Sequence, residues 1–380
     1  MVTKIPYAYT WDVVGDPAAA ERIASLGVDA VALAASYHTT RAATPFHPGH
    51  RMVNAEHAAC YVPVRSSEWQ GRLVPPAPSW APGDSFGEAR ESLRSSGLPV
   101  HAWTVLTHST LLGSANPDLV VRNAFGDLYP YALCPSNEDV VEYCSTLVRE
   151  VVTLGQPEGV ILEACGPLGF FHGGHHEKTD GADWGKVHQQ LLSLCFCSGC
   201  LARYAKADLD AEQLRALVKS TVDGPAPSSV EEALGDIAER LRDVRTGIAA
   251  ELRSLLVKEI RSLAPEAAIS VHGNADPWAA GPFATVAPVI NEDIDTVVVT
   301  CWPGPEASIP GIEAARALAG PDRGLAAYVL ALPPRPADAG ALRAEFDRYL
   351  AAGVDELHVY HAGLASPARF AAIREALSSL

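Results

Sequence analysis

Basic residues are scarce in this chain and nowhere clustered. Its 380 residues include 29 Lys and Arg against 45 Asp and Glu, a formal charge of −16. An acidic chain without a Lys/Arg patch is a poor partner for nucleic acid or an anionic membrane surface, and both are excluded on this ground. Long apolar runs are missing too. No stretch reaches the roughly 18 residues that a membrane span needs. The N-terminal segment MVTKIPYAYTWDVVGD lacks a basic region followed by an apolar one, so no secretory signal is read and a cytoplasmic location is expected. No P-loop, kinase signature, G-x-S-x-G elbow or Rossmann fingerprint occurs. Glycine and proline are dispersed and form no low-complexity tract. Disorder is excluded as well, because 48% of the residues are hydrophobic and only 19% charged, enough to build a sizeable core.

What the chain has is alternation. Eight short apolar, β-branched runs recur: Pro6–Val13, Val28–Ala35, Val100–Leu106, Gly159–Glu163, Ala267–His272, Thr296–Cys301, Leu325–Leu330 and Glu356–Tyr360. A continuous apolar run between turns fits a strand buried on both faces. Helix signals lie between them. Asp16-Pro17 is an N-cap with proline at the first helical position, and Gly27 follows that helix. Ser136 with Asp139 reads as a capping box, a periodic stretch runs from Val230 to Leu263, and Ser366-Pro367 opens the last helix. Eight βα units predict one (β/α)8 barrel over residues 1–380, with a doubly wound sheet as the alternative. Two connections are long: residues 38–83, rich in His, Pro and Trp, and residues 164–229, which carry His and Cys clusters. In a barrel both extend from the C-terminal ends of strands, the face where active sites are built.

Eight cysteines in a chain of this length are not a disulfide scaffold, so metal binding or free thiols are the better readings. The sharpest cluster is Cys195-Phe-Cys197-Ser-Gly-Cys200. Three thiols within six residues can converge on one metal, and tetrahedral zinc needs a fourth ligand. Cys134, in YALCPSN, is the leading candidate and Cys165 the second. A site of four thiolates is closed, so its expected role is to staple two long loops. The bland alternative is a set of unligated cysteines in a buried helix-turn segment.

The order Cys134-Pro135-Ser136-Asn137, a strand ending in Glu163, then Cys195-x-Cys197-x2-Cys200-x3-Tyr204 resembles the family 42 β-galactosidases. These are clan A glycoside hydrolases built on a (β/α)8 barrel. The resemblance covers roughly residues 120–205. It implies a structural zinc on Cys134, Cys195, Cys197 and Cys200, and an acid/base role for Glu163. Leu162 stands where that family carries Asn, and the seventh strand, AAYVLALPP, has no carboxylate where the family places its nucleophile.

Read on its own residues, Glu163 ends an apolar strand and should project into the barrel mouth, where partial desolvation is expected to raise its pKa toward that of a general acid. Its bland alternative is a structural carboxylate paired with an arginine. Hydrolysis of a glycosidic bond normally takes a second carboxylate. The candidates near strand ends rank as Asp276, Glu306 and Asp12. Glu292, Asp293 and Asp295 precede the sixth strand and belong to the opposite face. Between Phe171 and Lys178, His172, His175, His176 and Glu177 follow Glu163 closely. They suit hydrogen bonds to sugar hydroxyls or a second, catalytic metal. Aromatic and His residues recur at strand ends, among them Trp11, Trp103, His272, Trp302 and Tyr360, a lining that fits a carbohydrate pocket. The leading expectation is therefore a glycosidase acting on a small-molecule or oligosaccharide substrate, and self-association is compatible with this composition. The alternatives are a metal-dependent sugar isomerase, epimerase or lyase using the HGGHHEK loop, and a sugar-binding protein without catalysis.

Overall fold

The computed structural model describes residues 2–172, 177–288, 294–378 and 380. Its centre is a closed parallel barrel of eight strands: β1 Thr3–Ala8, β2 Val31–Tyr37, β3 Val100–Val105, β4 Gly159–Glu163, β5 Ala268–His272, β6 Thr296–Thr300, β7 Gly324–Leu330 and β8 Glu356–Tyr360. Each strand pairs in parallel with its sequence neighbours, and β1 closes the ring by pairing with both β2 and β8. The barrel strands are mostly buried, β2 and β4 at every residue. That burial is why they read as unbroken apolar runs.

Seven helices form the outer ring: α1 Ala19–Ala24, α2 Ser85–Ser95, α3 Glu138–Gly155, α4 Ala238–Leu263, α5 Pro305–Ala319, α6 Ala339–Ala351 and α7 Pro367–Ser378. Helix α3 shows why they pack there. Val140, Tyr143, Cys144, Leu147, Val148 and Val151 recur at helical spacing and are all buried. The helix ends where Gln156 turns left-handed, at φ 44°. The expected (β/α)8 barrel is met, with eight strands and seven ring helices among the described residues. Among the described residues the β5–β6 connection carries no helix, and a loop bridged at Asn274 and Thr285 takes its place.

Three local expectations change. The first strand is Thr3–Ala8 rather than Pro6–Val13. The Asp12 carboxylate accepts the Tyr9 backbone N–H at 2.8 Å and winds Thr10–Asp12 into a 3-10 turn, which ends the ladder early. Ser136 does not cap α3; Asn137 precedes the helix, and the Ser136 hydroxyl lies 3.1 Å from Cys200 Sγ. The stretch from Val230 to Leu263 divides at Gly235, whose φ of +56° breaks the helical path before α4.

The long connections carry their own structure. Residues 38–83 hold a hairpin of Thr40–Ala43 with Met52–Ala55, and Ala59–Cys60 returns antiparallel onto β2. Residues 164–229 include the helices Lys186–Leu192, Ser198–Lys206 and Ala211–Val222. A second hairpin, Val120–Arg122 with Leu128–Leu133, rises after β3. No helix among the described residues is long and apolar enough to cross a membrane.

Candidate active site and metal centre

Glu163 is the last residue of β4 and is only 5% exposed. Two side chains grip one oxygen. Trp103 on β3 donates its indole N–H to Glu163 Oε2 at 2.7 Å. His272, the last residue of β5, brings Nδ1 to 3.2 Å from the same oxygen, an ion-pair contact oblique to the ring N–H direction. The backbone helps to aim the group. Ala164 adopts a left-handed conformation at φ 55° and donates its N–H to Pro282 O at 3.0 Å, turning the chain sharply after the carboxylate. Such a conformation strains a residue with a Cβ.

The electrostatics reverse one expectation. Burial does push the Glu163 pKa upward, but the hydrogen bond and charge of His272, then His38 and the Trp103 N–H, outweigh it. The carboxyl is held below its ordinary range and is ionised at rest. Asp12 goes the other way. Burial raises its pKa from 3.8 to about 7, against the Tyr9 N–H and Arg22. Asp12 sits after β1 with Oδ2 3.9 Å from His361 Nδ1.

The ring around Glu163 is aromatic. His272 stacks on Phe283 with centroids 4.6 Å apart and planes at 6°, which orients the imidazole. Trp302 is 38% exposed on the rim, 4.8 Å from the Tyr360 ring and 5.6 Å from that of Tyr328. Trp11 lies deeper, buried and stacked on Tyr9 at 4.5 Å. His172 joins a separate group. Its Nε2 meets His108 Nε2 at 2.8 Å, its Nδ1 meets Glu177 Oε1 at 2.9 Å, and His38 packs on His108 at 4.5 Å. With Glu177 ionised, His172 donates from Nδ1 and accepts from His108 at Nε2. His175, His176, Glu292 and Asp293 lie outside the described residues.

The two leading second carboxylates are engaged elsewhere. Asp276 accepts from Gln190 Nε2 at 2.9 Å, pairs with Lys186 Nζ at 2.7 Å and caps the Trp278 N–H. Glu306 opens α5 with its side chain 79% exposed and paired with Arg348 on α6. The structure places Glu163, His272 and Trp103 in direct contact and sets Asp276 and Glu306 in ion pairs of their own.

The cysteine expectation holds as geometry. The sulfurs of Cys134, Cys195, Cys197 and Cys200 lie within 4.8 Å of one another, all buried, with Cys134 and Cys200 3.6 Å apart. Four thiolates around a metal at about 2.3 Å stand roughly 3.8 Å apart at tetrahedral angles, so the cluster fits a soft tetrahedral ion. The Arg122 N–H reaches Cys195 Sγ at 3.5 Å and Asn137 Nδ2 reaches Cys197 Sγ at 3.7 Å, donors that favour thiolates. Gly199 permits the close approach, because a Cβ there would sit 2.5 Å from the Ser136 carbonyl oxygen. Cys165 stays outside the cluster.

No protein-family model and no curated protein matches the chain. Solved structures do, along its whole length. The PgaB (BpsB) glycoside hydrolase domain from Bordetella bronchiseptica is 16% identical with a TM-score of 0.61, over 99% of each chain. The α-L-fucosidase isoenzyme 2 from Paenibacillus thiaminolyticus is 12% identical with a TM-score of 0.58, over 100% of this chain and 49% of that one. A catalytic mutant of a GH42 β-galactosidase from G. stearothermophilus is 11% identical with a TM-score of 0.56, over 100% of this chain and 56% of that one. The chain spans about half the length of the latter two. At these identities the similarity shows the fold alone, a (β/α)8 barrel.

Proposed function

We propose that the protein is a glycoside hydrolase acting on a small or oligomeric carbohydrate, with Glu163 as its acid/base. The observation that carries this reading is the grip of Trp103 and His272 on a buried carboxylate at the end of β4, beside an aromatic rim. A fixed carboxyl that exchanges one proton is what cleavage of a glycosidic bond requires. Glu163 is ionised at rest, so its acid role depends on a proton supplied when the sugar oxygen is in place. Trp302 and Tyr360 offer faces for sugar C–H groups, and His172, His175, His176 and Trp11 are the further binding candidates. For the second carboxylate we rank Asp276 first, because it follows β5, the strand that pairs with β4. Asp12 comes next and Glu306 last, since its partner Arg348 holds it on the outer ring. Zinc is our assignment for the four-cysteine site. Bound there, it would supply no chemistry; Cys134 would tie the loop after β3 to the segment 195–200 after β4.

The test is a panel of aryl glycosides, wild type beside Glu163→Gln. Loss of turnover by a factor on the order of 10² or more in a variant that still binds sugar supports the assignment; near wild-type turnover refutes it. A second reading rests on the His108–His172–Glu177 file, since a carboxylate on the far nitrogen of a histidine is a common arrangement behind a metal ligand. In that reading the site is a metal-dependent sugar isomerase, epimerase or lyase. Metal content separates the two: one ion per chain for the hydrolase, two for the alternative.

A further inference from the structure

Beneath Glu163 the barrel core holds a continuous polar file. His272 lies 3.2 Å from Glu163 through Nδ1 and 2.8 Å from the Tyr7 hydroxyl through Nε2. The Tyr7 hydroxyl lies 3.0 Å from His358 Nδ1, and His358 Nε2 lies 3.0 Å from Glu356 Oε2. Thr296 donates to the other Glu356 oxygen at 2.9 Å. Tyr7, His272 and His358 are fully buried, whereas the Glu356 side chain is 18% exposed at the start of β8. The file therefore runs from the barrel mouth to the opposite face.

Its proton count is constrained. The four contacts from Glu163 to Glu356 each take one hydrogen. Two neutral imidazoles and one phenol supply three. With both carboxylates ionised, full bonding needs one additional proton; every contact stays bonded with that proton on Glu356, His358, His272 or Glu163, and two of these arrangements bear on delivery. In the first, His358 is an imidazolium donating to Glu356 and to Tyr7. Tyr7 then donates to His272 Nε2, and His272 donates from Nδ1 to an ionised Glu163. In the second, the three bonds between His358 and Glu163 are reversed, while His358 Nε2–H still donates to Glu356. Glu163 is a carboxylic acid donating to His272 Nδ1, His272 Nε2–H donates to Tyr7, Tyr7 to His358 Nδ1, and His358 Nε2–H to Glu356. Passage from the first to the second breaks the His358 Nδ1–H, Tyr7 O–H and His272 Nδ1–H bonds. It forms Tyr7 O–H, His272 Nε2–H and Glu163 O–H, and the net charge stays the same. The oblique His272–Glu163 contact is the step that needs a small ring rotation, as catalytic hydrogen bonds often do before substrate binds.

We propose that this file is a proton relay, delivering a proton through the barrel core from the Glu356 face to Glu163 while a bound sugar covers the mouth. The proposal rests on the reading of Glu163 as acid/base. It makes Tyr7, His272, His358 and Glu356 positioning residues for that group. The other groups facing the file are His101 and Trp103 on β3, Tyr37 and the neighbouring His38 on β2, Tyr9 after β1, Tyr328 on β7 and Tyr360 on β8. Burial keeps His101 and His38 below the ordinary histidine range, so neither competes for the proton near neutral pH. Glu163 is held low and burial lowers His272 as well, so at rest the proton lies toward the Glu356 end of the file.

Two near-isosteric variants test the proposal. In Glu356→Gln an amide donates to His358 Nε2, so every contact is satisfied without the additional proton. Tyr7→Phe cuts the file. The first readout is 15N NMR of the imidazole rings in the full chain without substrate. Wild type should show His358 doubly protonated at neutral pH and His272 as the Nδ1–H tautomer. Glu356→Gln should leave His358 neutral with hydrogen on Nδ1, and Tyr7→Phe should leave it neutral with hydrogen on Nε2. An unchanged His358 titration in Tyr7→Phe overturns the file. The second readout is leaving-group dependence. Both variants should lower kcat for phenyl glycosides by a factor on the order of 10² and spare dinitrophenyl glycosides, which leave without protonation. Equal losses on both substrates indicate a structural role and overturn the relay. Full turnover by Glu163→Gln overturns the acid/base reading, and delivery with it, whatever the ring signals show.

Discussion

Asp12 offers a prediction that needs no substrate. Its carboxyl is buried, one oxygen accepts the Tyr9 N–H, and Oδ1 has no hydrogen-bond partner among the described residues. Burial holds the folded pKa at about 7 against an ordinary 3.8. Between these values the unfolded chain releases the proton and the folded chain keeps it. A raised carboxyl pKa thus gives stability that is fully present below about pH 4 and lost as the pH rises through 7, with no further change above. At about 1.4 kcal/mol per pH unit the loss is about 4 kcal/mol. Asp12→Asn removes the titration while its amide oxygen keeps the Tyr9 bond. The stability difference, variant minus wild type, should therefore climb by about 4 kcal/mol from pH 4 to pH 8 and then level off. Urea unfolding followed by tryptophan fluorescence measures it directly. His361, with its pKa lowered by burial to about 3, contributes its own pH dependence, but equally to both proteins. Parallel stability curves across pH 4–8 would show that Asp12 is solvated or paired in solution and would refute the argument.

Other outcomes follow from the geometry. Trp103→Phe removes the 2.7 Å bond to Glu163, so the Glu163 pKa should rise, and the limb of the pH–rate profile that reports its ionisation should move to higher pH. Purified protein should carry one zinc per chain by elemental analysis, and Cys200→Ser should lose it; recovery of a disulfide between Cys134 and Cys200 instead would refute the metal assignment. Gly199→Ala places a methyl 2.5 Å from the Ser136 carbonyl oxygen and should lower both metal content and Tm. Ala164→Gly relieves a left-handed residue and should be neutral or stabilising by up to about 1 kcal/mol in thermal unfolding.

The strands were legible because a fully buried parallel strand leaves an unbroken apolar run, and seven of the eight read correctly to within a few residues. The first did not, since Tyr9-Thr10-Trp11 continues the apolar pattern while Asp12 bends the backbone. Three cysteines of the cluster were legible from their spacing, and Cys134 from its place at the end of the loop after the third strand. The hairpin at 120–133 was not, because Gly126-Asp127 is a weak turn signal between short strands. Within the site Glu163 stood out by position, and Trp103 and His272 by their recurrence at strand ends, but the deeper groups did not. Tyr7 and His358 sit inside strands and read as core. The signal that finds them is alternation: Glu356, His358 and Tyr360 occupy every second position of β8 and share the inward face. The pKa direction of Glu163 was beyond reach, because it depends on contacts between strands far apart in the chain.

The cysteine cluster has a consequence for how this protein can change. With the proposed metal bound it would join Cys134 to the segment 195–200, leaving residues 166–194 as a span fixed at both ends, by β4 on one side and the four thiols on the other. Substitutions and changes of length within that span alter what the mouth contacts without disturbing where it is attached. Under the proposed function, such a separation of anchorage from lining would let a lineage exchange one sugar for another in small steps, and it marks residues 166–194 as the segment to diversify in a library aimed at new substrates.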